Sequence, residues 1–103
     1  MFLRRIPQME FRDQYLEDFY VDDISHRKIP SNLEDTLYRK LGMLDAATDF
    51  RDLLAPPNNR FERLSGQLDG YCSIRVNRQY RLIFKFEDGE AIDTYLDSHT
   101  YRA

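Results

Sequence analysis

The sequence predicts an α+β domain in which two helical segments come first and a small antiparallel sheet follows. Three observations predict it. Leu33, Leu37, Leu41 and Leu44 recur at spacings of four, four and three, which gives one apolar stripe along a helix. Pro56-Pro57-Asn58-Asn59 then breaks any helix outright. Beyond that point residues 71–76 and 80–86 alternate with period two, the spacing of a strand with one buried face. Helices followed by meandering strands give an α+β layout, with the helices gathered on one face of the sheet. The 103 residues suffice for one domain with one modest core.

Taken in order, residues 1–8, interrupted by Pro7, read as an N-terminal extension of that single domain, 1–103. Residues 9–11 read as a short strand leading into residues 12–20, where Tyr15, Leu16, Phe19 and Tyr20 share a helical face. Residues 21–30 read as a connecting loop. Ser31 and Glu34 then have the spacing of a capping box, in which hydroxyl and carboxylate satisfy each other's backbone amides. The helix so opened carries the leucine stripe and ends near residues 46–48, and residues 49–54 add a single turn. In the first alternating segment Cys72, Ile74 and Val76 oppose Tyr71, Ser73 and Arg75. In the second, Tyr80, Leu82, Phe84 and Phe86 oppose Arg81, Ile83 and Lys85. Residues 91–97 form a weaker third strand, and the links at 67–70, 77–79 and 87–90 suit tight turns. One sheet face is expected to pack on the leucine stripe, and the other to project Arg75, Arg81 and Lys85 together.

Composition narrows the function classes. Apolar residues make up 42% and charged residues 32%, the balance of a globular chain rather than a disordered one. The single cysteine, Cys72, cannot close an internal disulfide, and no Cys/His spacing suggests structural zinc. No apolar run approaches the roughly 20 residues that span a bilayer, and the charged start is too short for a secretory signal. A cytoplasmic protein with no membrane partner is expected. There is no Gly-rich phosphate loop, HExxH or GxSxG, and only His26 and His99 are available to a metal, so no metal site or cofactor is expected. His26 reads as a loop residue.

The net charge of −3 is unevenly spread. Residues 60–86 carry Arg60, Arg63, Arg75, Arg78, Arg81 and Lys85 against only Glu62 and Asp69, while the segments on either side are acidic. Such a stretch is either a solvated face or a patch that holds a phosphate backbone locally.

From residue 41 the chain carries Leu41, then Leu44-Asp45-Ala46-Ala47-Thr48, Asp52-Leu53, Pro56-Pro57-Asn58-Asn59-Arg60 and Leu64-Ser65-Gly66. Ser73-Ile74-Arg75-Val76-Asn77, Gln79-Tyr80-Arg81-Leu82 and Asp97-Ser98-His99 follow in order. This pattern resembles the HigB toxins of the RelE/ParE superfamily, the toxin halves of type II toxin–antitoxin systems. The resemblance covers more than half of the chain and implies a RelE-like fold with two N-terminal helices on a small antiparallel, mixed-edge sheet. It implies ribosome-dependent endoribonuclease cleavage of mRNA and a HigA-like helix-turn-helix antitoxin, with operator DNA reached only through that antitoxin. It also marks Arg81 as a catalytic arginine and His99 as a terminal catalytic histidine. Three positions depart from the family pattern: Glu62 stands where many members carry histidine, Ser65 where lysine is frequent, and Ser98 where tyrosine is usual.

The residues suit that chemistry on their own terms. Cutting RNA without a metal needs a base for the ribose 2′-hydroxyl, an acid for the departing 5′-oxygen and a cation beside the phosphate. A guanidinium stays charged and forks onto two phosphate oxygens, the role expected of Arg81. His99 exchanges a proton near neutral pH. Asp97 is placed to orient it, and Glu62 offers a carboxylate base or an ion-pair partner for Arg63 or Arg81. Arg60, Arg63, Arg75, Arg78 and Lys85 are candidates for RNA or ribosomal phosphates, and Tyr80 or Tyr101 for stacking on a base. Two other readings stay open: a non-enzymatic growth inhibitor of the gyrase-poisoning ParE type, and an inactive homologue that only binds its antitoxin.

Overall fold

The leucine stripe forms the middle of the core. In a computed structural model, which describes residues 6–98, Leu33, Leu37, Leu41 and Leu44 are each at most 2% exposed. They meet Leu16 and Phe19 from the first helix and Ile74, Leu82, Phe84 and Ala91 from the sheet, with Val76 just after its third strand in the same cluster. Full burial of each leucine contributes about 1.5–3 kcal/mol, so this seam orients the helices on the sheet. Among the described residues no helix is long and apolar enough to cross a membrane.

The elements are β1 (Met9–Phe11), α1 (Gln14–Asp22), α2 (Glu34–Ala46), β2 (Glu62–Arg63), β3 (Cys72–Arg75), β4 (Arg81–Glu87) and β5 (Glu90–Asp97). The sheet order is β1-β5-β4-β3-β2. β1 pairs parallel with β5, and every other pairing is antiparallel. The sheet is therefore mixed; the short strand expected at residues 9–11 forms as β1 and precedes both helices, so the helices do not open the fold. A parallel pairing needs a long crossover, which the helices and β2–β4 supply. The β4–β5 hairpin turns at Asp88 and Gly89, both at positive φ (52° and 79°), the demand that an Asp-Gly pair meets with least strain.

Two local expectations are corrected. α1 continues through Val21 and Asp22 into the expected loop and stops where Asp23 takes a left-handed conformation (φ 57°). The capping box at Ser31 and Glu34 does not form. Ser31–Leu33 winds as a 3₁₀ turn, neither Pro30 nor Leu33 supplies a side-chain cap, and Glu34 instead accepts a hydrogen bond from Ser25 Oγ at 2.8 Å. The reciprocal box sits one element later. Asp49 Oδ1 accepts from the Arg51 N–H at 2.7 Å, and Asp52 Oδ2 accepts from Asp49 and Thr48 N–H groups, which fixes the turn Phe50–Leu53.

The register stacks the outer face of the sheet in rungs. Arg75 lies opposite Arg81, which lies opposite Asp97; Ser73 lies opposite Ile83, which lies opposite Tyr95; and Glu62 lies opposite Ser73. Past Ile83 the register shifts, and Asp93 at the irregularity has φ 53°. The outer face is not the open basic surface that alternation suggests. Arg81 is 4% exposed, Ile83 and Ser73 are fully buried, and Lys85 lies beyond the shift with its own neighbours.

Candidate active site

One cleft gathers much of the basic segment. The β3–β4 turn is closed by the Val76 N–H on the Tyr80 carbonyl at 2.9 Å, and Asn77 Oδ1 accepts from the Gln79 and Tyr80 N–H groups at 2.8 Å each. That tight turn carries Arg75, Asn77 and Arg78 to one rim, with buried Arg81 below them. Arg60, Phe61 and Glu62, from the approach to β2, form the other, and the space between them is about 540 Å³. Four guanidinium groups thus surround one carboxylate, an arrangement that attracts a polyanion.

Arg81 is the fixed member. Its Nε donates to Ser73 Oγ at 2.9 Å, and its Nη2 donates to the Arg60 carbonyl and, at 3.5 Å, to the Ser73 carbonyl. These oxygens are neutral, so they orient the guanidinium without cancelling its charge. Glu62 Oε1 is 3.6 Å from Nη2, an ion pair rather than a close hydrogen bond, and the Glu62 side chain is half exposed. Burying an arginine directly across from Arg75 sets like charges on neighbouring strands, a cost that a purely structural position does not need. Arg60 reaches Arg81 by its main chain: its left-handed conformation (φ 43°) sits just before the strand, and its own side chain stays exposed.

The remaining candidates divide. Arg75 joins the cleft, with its Nε donating to the Asn77 carbonyl at 3.2 Å, and Arg78 lines the same cleft, exposed. Asp97 is paired with Arg81 in the strand register and is partly buried. Arg63 lies elsewhere, stacked 4.0 Å over the Phe50 ring, because β2 alternates it away from Glu62. Lys85 sits 5.4 Å over the Tyr71 ring at the other end of the outer face. Tyr80 is partly buried and packs against the hydrophobic core, beside rather than among the residues lining the cleft. His99 and Tyr101 lie outside the described residues. Ser73 and the Arg60 carbonyl, which hold Arg81, went unidentified in the sequence; only the register that sets Ser73 beside Arg81 reveals the first. Among the described residues no cluster of His, Cys, Asp and Glu is placed to hold a metal ion.

The model of the RelE-like toxin of the type II toxin–antitoxin system HigB matches residues 9–99, most of the chain and all of the cleft. The chain belongs to the HigB-like toxins. It is 60% identical over 93 residues to Toxin HigB-1 of Vibrio cholerae, covering 90% of this chain and 98% of the relative. It is also 50% identical over 96 residues to an uncharacterized protein of Haemophilus influenzae, covering 93% and 95%. Among solved structures, YafQ from E. coli shares the fold with a TM-score of 0.62 at 18% identity, over 94% of each chain. YoeB, in the YoeB–YefM complex from Staphylococcus aureus, shares it with a TM-score of 0.58 at 20% identity, over 96% of this chain and all of that one. As a HigB-like type II toxin, this chain is one half of a toxin–antitoxin pair.

Proposed function

We propose that this HigB-like toxin is an mRNA endoribonuclease that acts on the ribosome, in the cytoplasm, by metal-independent acid–base chemistry, and that a HigA-like helix-turn-helix antitoxin neutralises it and mediates any contact with operator DNA. One observation carries the reading. Arg81 is buried at the floor of a cleft rimmed by three further arginines, held by neutral oxygens, with a carboxylate 3.6 Å away. A guanidinium fixed by neutral oxygens, with Glu62 standing off at 3.6 Å, is suited to a phosphate gaining charge.

In the reaction, the ribose 2′-oxygen attacks the adjacent phosphorus and the bond to the 5′-oxygen breaks, leaving a 2′,3′-cyclic phosphate and a 5′-hydroxyl end. Glu62, exposed beside Arg81, accepts the 2′-hydroxyl proton. His99, two positions after Asp97, gives a proton to the departing 5′-oxygen or shares the base role. Arg81 stabilises the phosphorane-like transition state, Asp97 orients the acid, and Arg60, Arg75 and Arg78 hold flanking phosphates. Where other family members place histidine, a carboxylate here accepts the same proton.

The test is induction of the wild type and of Arg81→Ala in cells, followed by mapping of new 5′-hydroxyl ends on mRNA. In-frame ends with the wild type, lost in Arg81→Ala, are expected. Growth arrest without new ends overturns the ribonuclease reading in favour of a gyrase-type inhibitor.

A further inference from the structure

α2 buries a lysine among the leucines of its core face. Lys40, flanked by buried Leu37, Leu41 and Leu44, is itself 4% exposed. Its ammonium donates to Asn59 Oδ1 at 2.5 Å and to Asn58 Oδ1 at 3.2 Å, both amide oxygens and neither a carboxylate. Burial pushes its pKa below the usual lysine range. Holding a buried cation on neutral acceptors costs free energy that an apolar side chain at this position would not.

The contacts show what the ammonium secures. Asn59 is fully buried; its Nδ2 donates to the Leu53 and Ala55 carbonyls at 3.1 and 3.3 Å, and its N–H to the Pro56 carbonyl at 3.0 Å. The side chain of Asn59 thereby knots the segment after α2 into one turn, and Lys40 ties that knot to the helix. The next residue is Arg60, whose N–H bonds the Pro57 carbonyl at 3.0 Å and whose own carbonyl receives Arg81 Nη2. A short path of named bonds runs from the long helix to the guanidinium at the floor of the cleft.

We propose that Lys40 is a positioning residue for Arg81: by anchoring the Asn58–Asn59 turn to α2 it fixes the Arg60 carbonyl that orients the Arg81 guanidinium. The role in turnover rests on the reading of Arg81 as the phosphate-binding arginine; the role in geometry does not.

The experiment compares full-length wild type with Lys40→Met, Lys40→Arg and Asn58→Ala by two readouts. The first is solvent exchange of the Arg81 Nε–H in ¹⁵N NMR, its resonance assigned by its loss in Arg81→Lys. The second is mRNA cleavage on ribosomes, with kcat and KM separated. For Lys40→Met the expected result is Arg81 exchange faster by about tenfold and kcat lower by on the order of 10- to 100-fold, the cost of a misplaced group. KM should change much less than kcat. Lys40→Arg, which keeps the donors, should restore both. A folded Lys40→Met protein with wild-type exchange and wild-type kcat overturns the proposal, as does a kcat loss with unchanged exchange that Lys40→Arg fails to restore. If Lys40→Met does not fold, the exposed Asn58→Ala, which removes one acceptor only, decides by the same exchange readout: unchanged exchange there overturns the proposal. If the wild type itself cuts no RNA, the ribonuclease reading fails, while the exchange measurement still decides the positioning.

Discussion

Two arginines on the outer face of this sheet are held in opposite ways. Arg12, just after β1, forks onto Asp93: its Nε meets Oδ1 at 2.9 Å and its Nη2 meets Oδ2 at 2.8 Å, while the Tyr71 hydroxyl also donates to Asp93 and the Arg12 guanidinium lies 3.8 Å over the Tyr95 ring. Arg81, at the far end, is more deeply buried, yet its close partners are a hydroxyl and main-chain carbonyls, and its carboxylate stands off at 3.6 Å. The first arrangement closes the charge of the arginine on itself. The second fixes the arginine mainly on neutral oxygens and keeps its ion pair with Glu62 loose. An arginine–carboxylate pair is therefore not in itself a sign of structure or of chemistry; which oxygens hold the guanidinium decides.

The sharpest way to break this contrast is to replace each arginine with lysine, which keeps the charge and loses the fork. Arg81→Lys is expected to lower mRNA cleavage by on the order of 10²–10³-fold. Arg12→Lys should leave cleavage unchanged and lower stability by about 1 kcal/mol or less, read as a small fall in urea midpoint. Equal losses of cleavage in the two variants would end the distinction.

A smaller effect sharpens the closed end. Hydrogen bonds from Arg12, helped by the Tyr71 hydroxyl, hold the Asp93 carboxyl down at about 2, against an ordinary value near 3.8. A depressed carboxyl stabilises the fold above its unfolded pKa, and that contribution is lost as the pH falls through the folded value. Stability should thus drop between about pH 4 and pH 2, by on the order of 1 kcal/mol once solvent screening of this partly exposed pair is allowed for. Asp93→Asn keeps a residue that tolerates the left-handed backbone and should flatten that part of the profile in pH-dependent urea unfolding. The smallest effect belongs to the cleft rim. Arg78→Ala should weaken single-stranded RNA binding and lower the slope of log affinity against log salt by about 0.7, one phosphate contact.

The sequence made the apolar architecture legible because burial is periodic. The leucine stripe, the alternation of Cys72, Ile74 and Val76 and the Asp-Gly turn each follow from a local rule, and each is found where that rule puts it. Contacts that depend on which groups meet in space were not legible. Ser31 and Glu34 have the spacing of a cap, but Ser25 reaches Glu34 from a separate segment. Alternation correctly assigns Arg81 to the outer face, yet says nothing of its burial, because the partner that helps cover it is a main-chain carbonyl at Arg60 and carries no side-chain signature. Arg63 and Lys85 count toward the basic segment in sequence, but strand alternation and the shift before Lys85 send them elsewhere. Lys40 likewise follows no local rule, because the asparagines that hold it lie beyond the helix.

The parallel pairing of β1 with β5 also bears on when the toxin becomes dangerous. Arg12 and Asp93 are 81 positions apart, and β5 lies inside the sheet, between β1 and β4, rather than at its edge. A chain emerging from its own ribosome can wind both helices early, since their contacts are local, but such distant pairings close slowly and late. The β4–β5 hairpin is local and sets Asp97 across from Arg81 on its own, whereas the β1–β5 pairing and the Arg12–Asp93 tie wait for the longer closure. Synthesis order thus supplies a delay: the sheet that carries the cleft is closed on its β1 side only when nearly the whole described chain has been made.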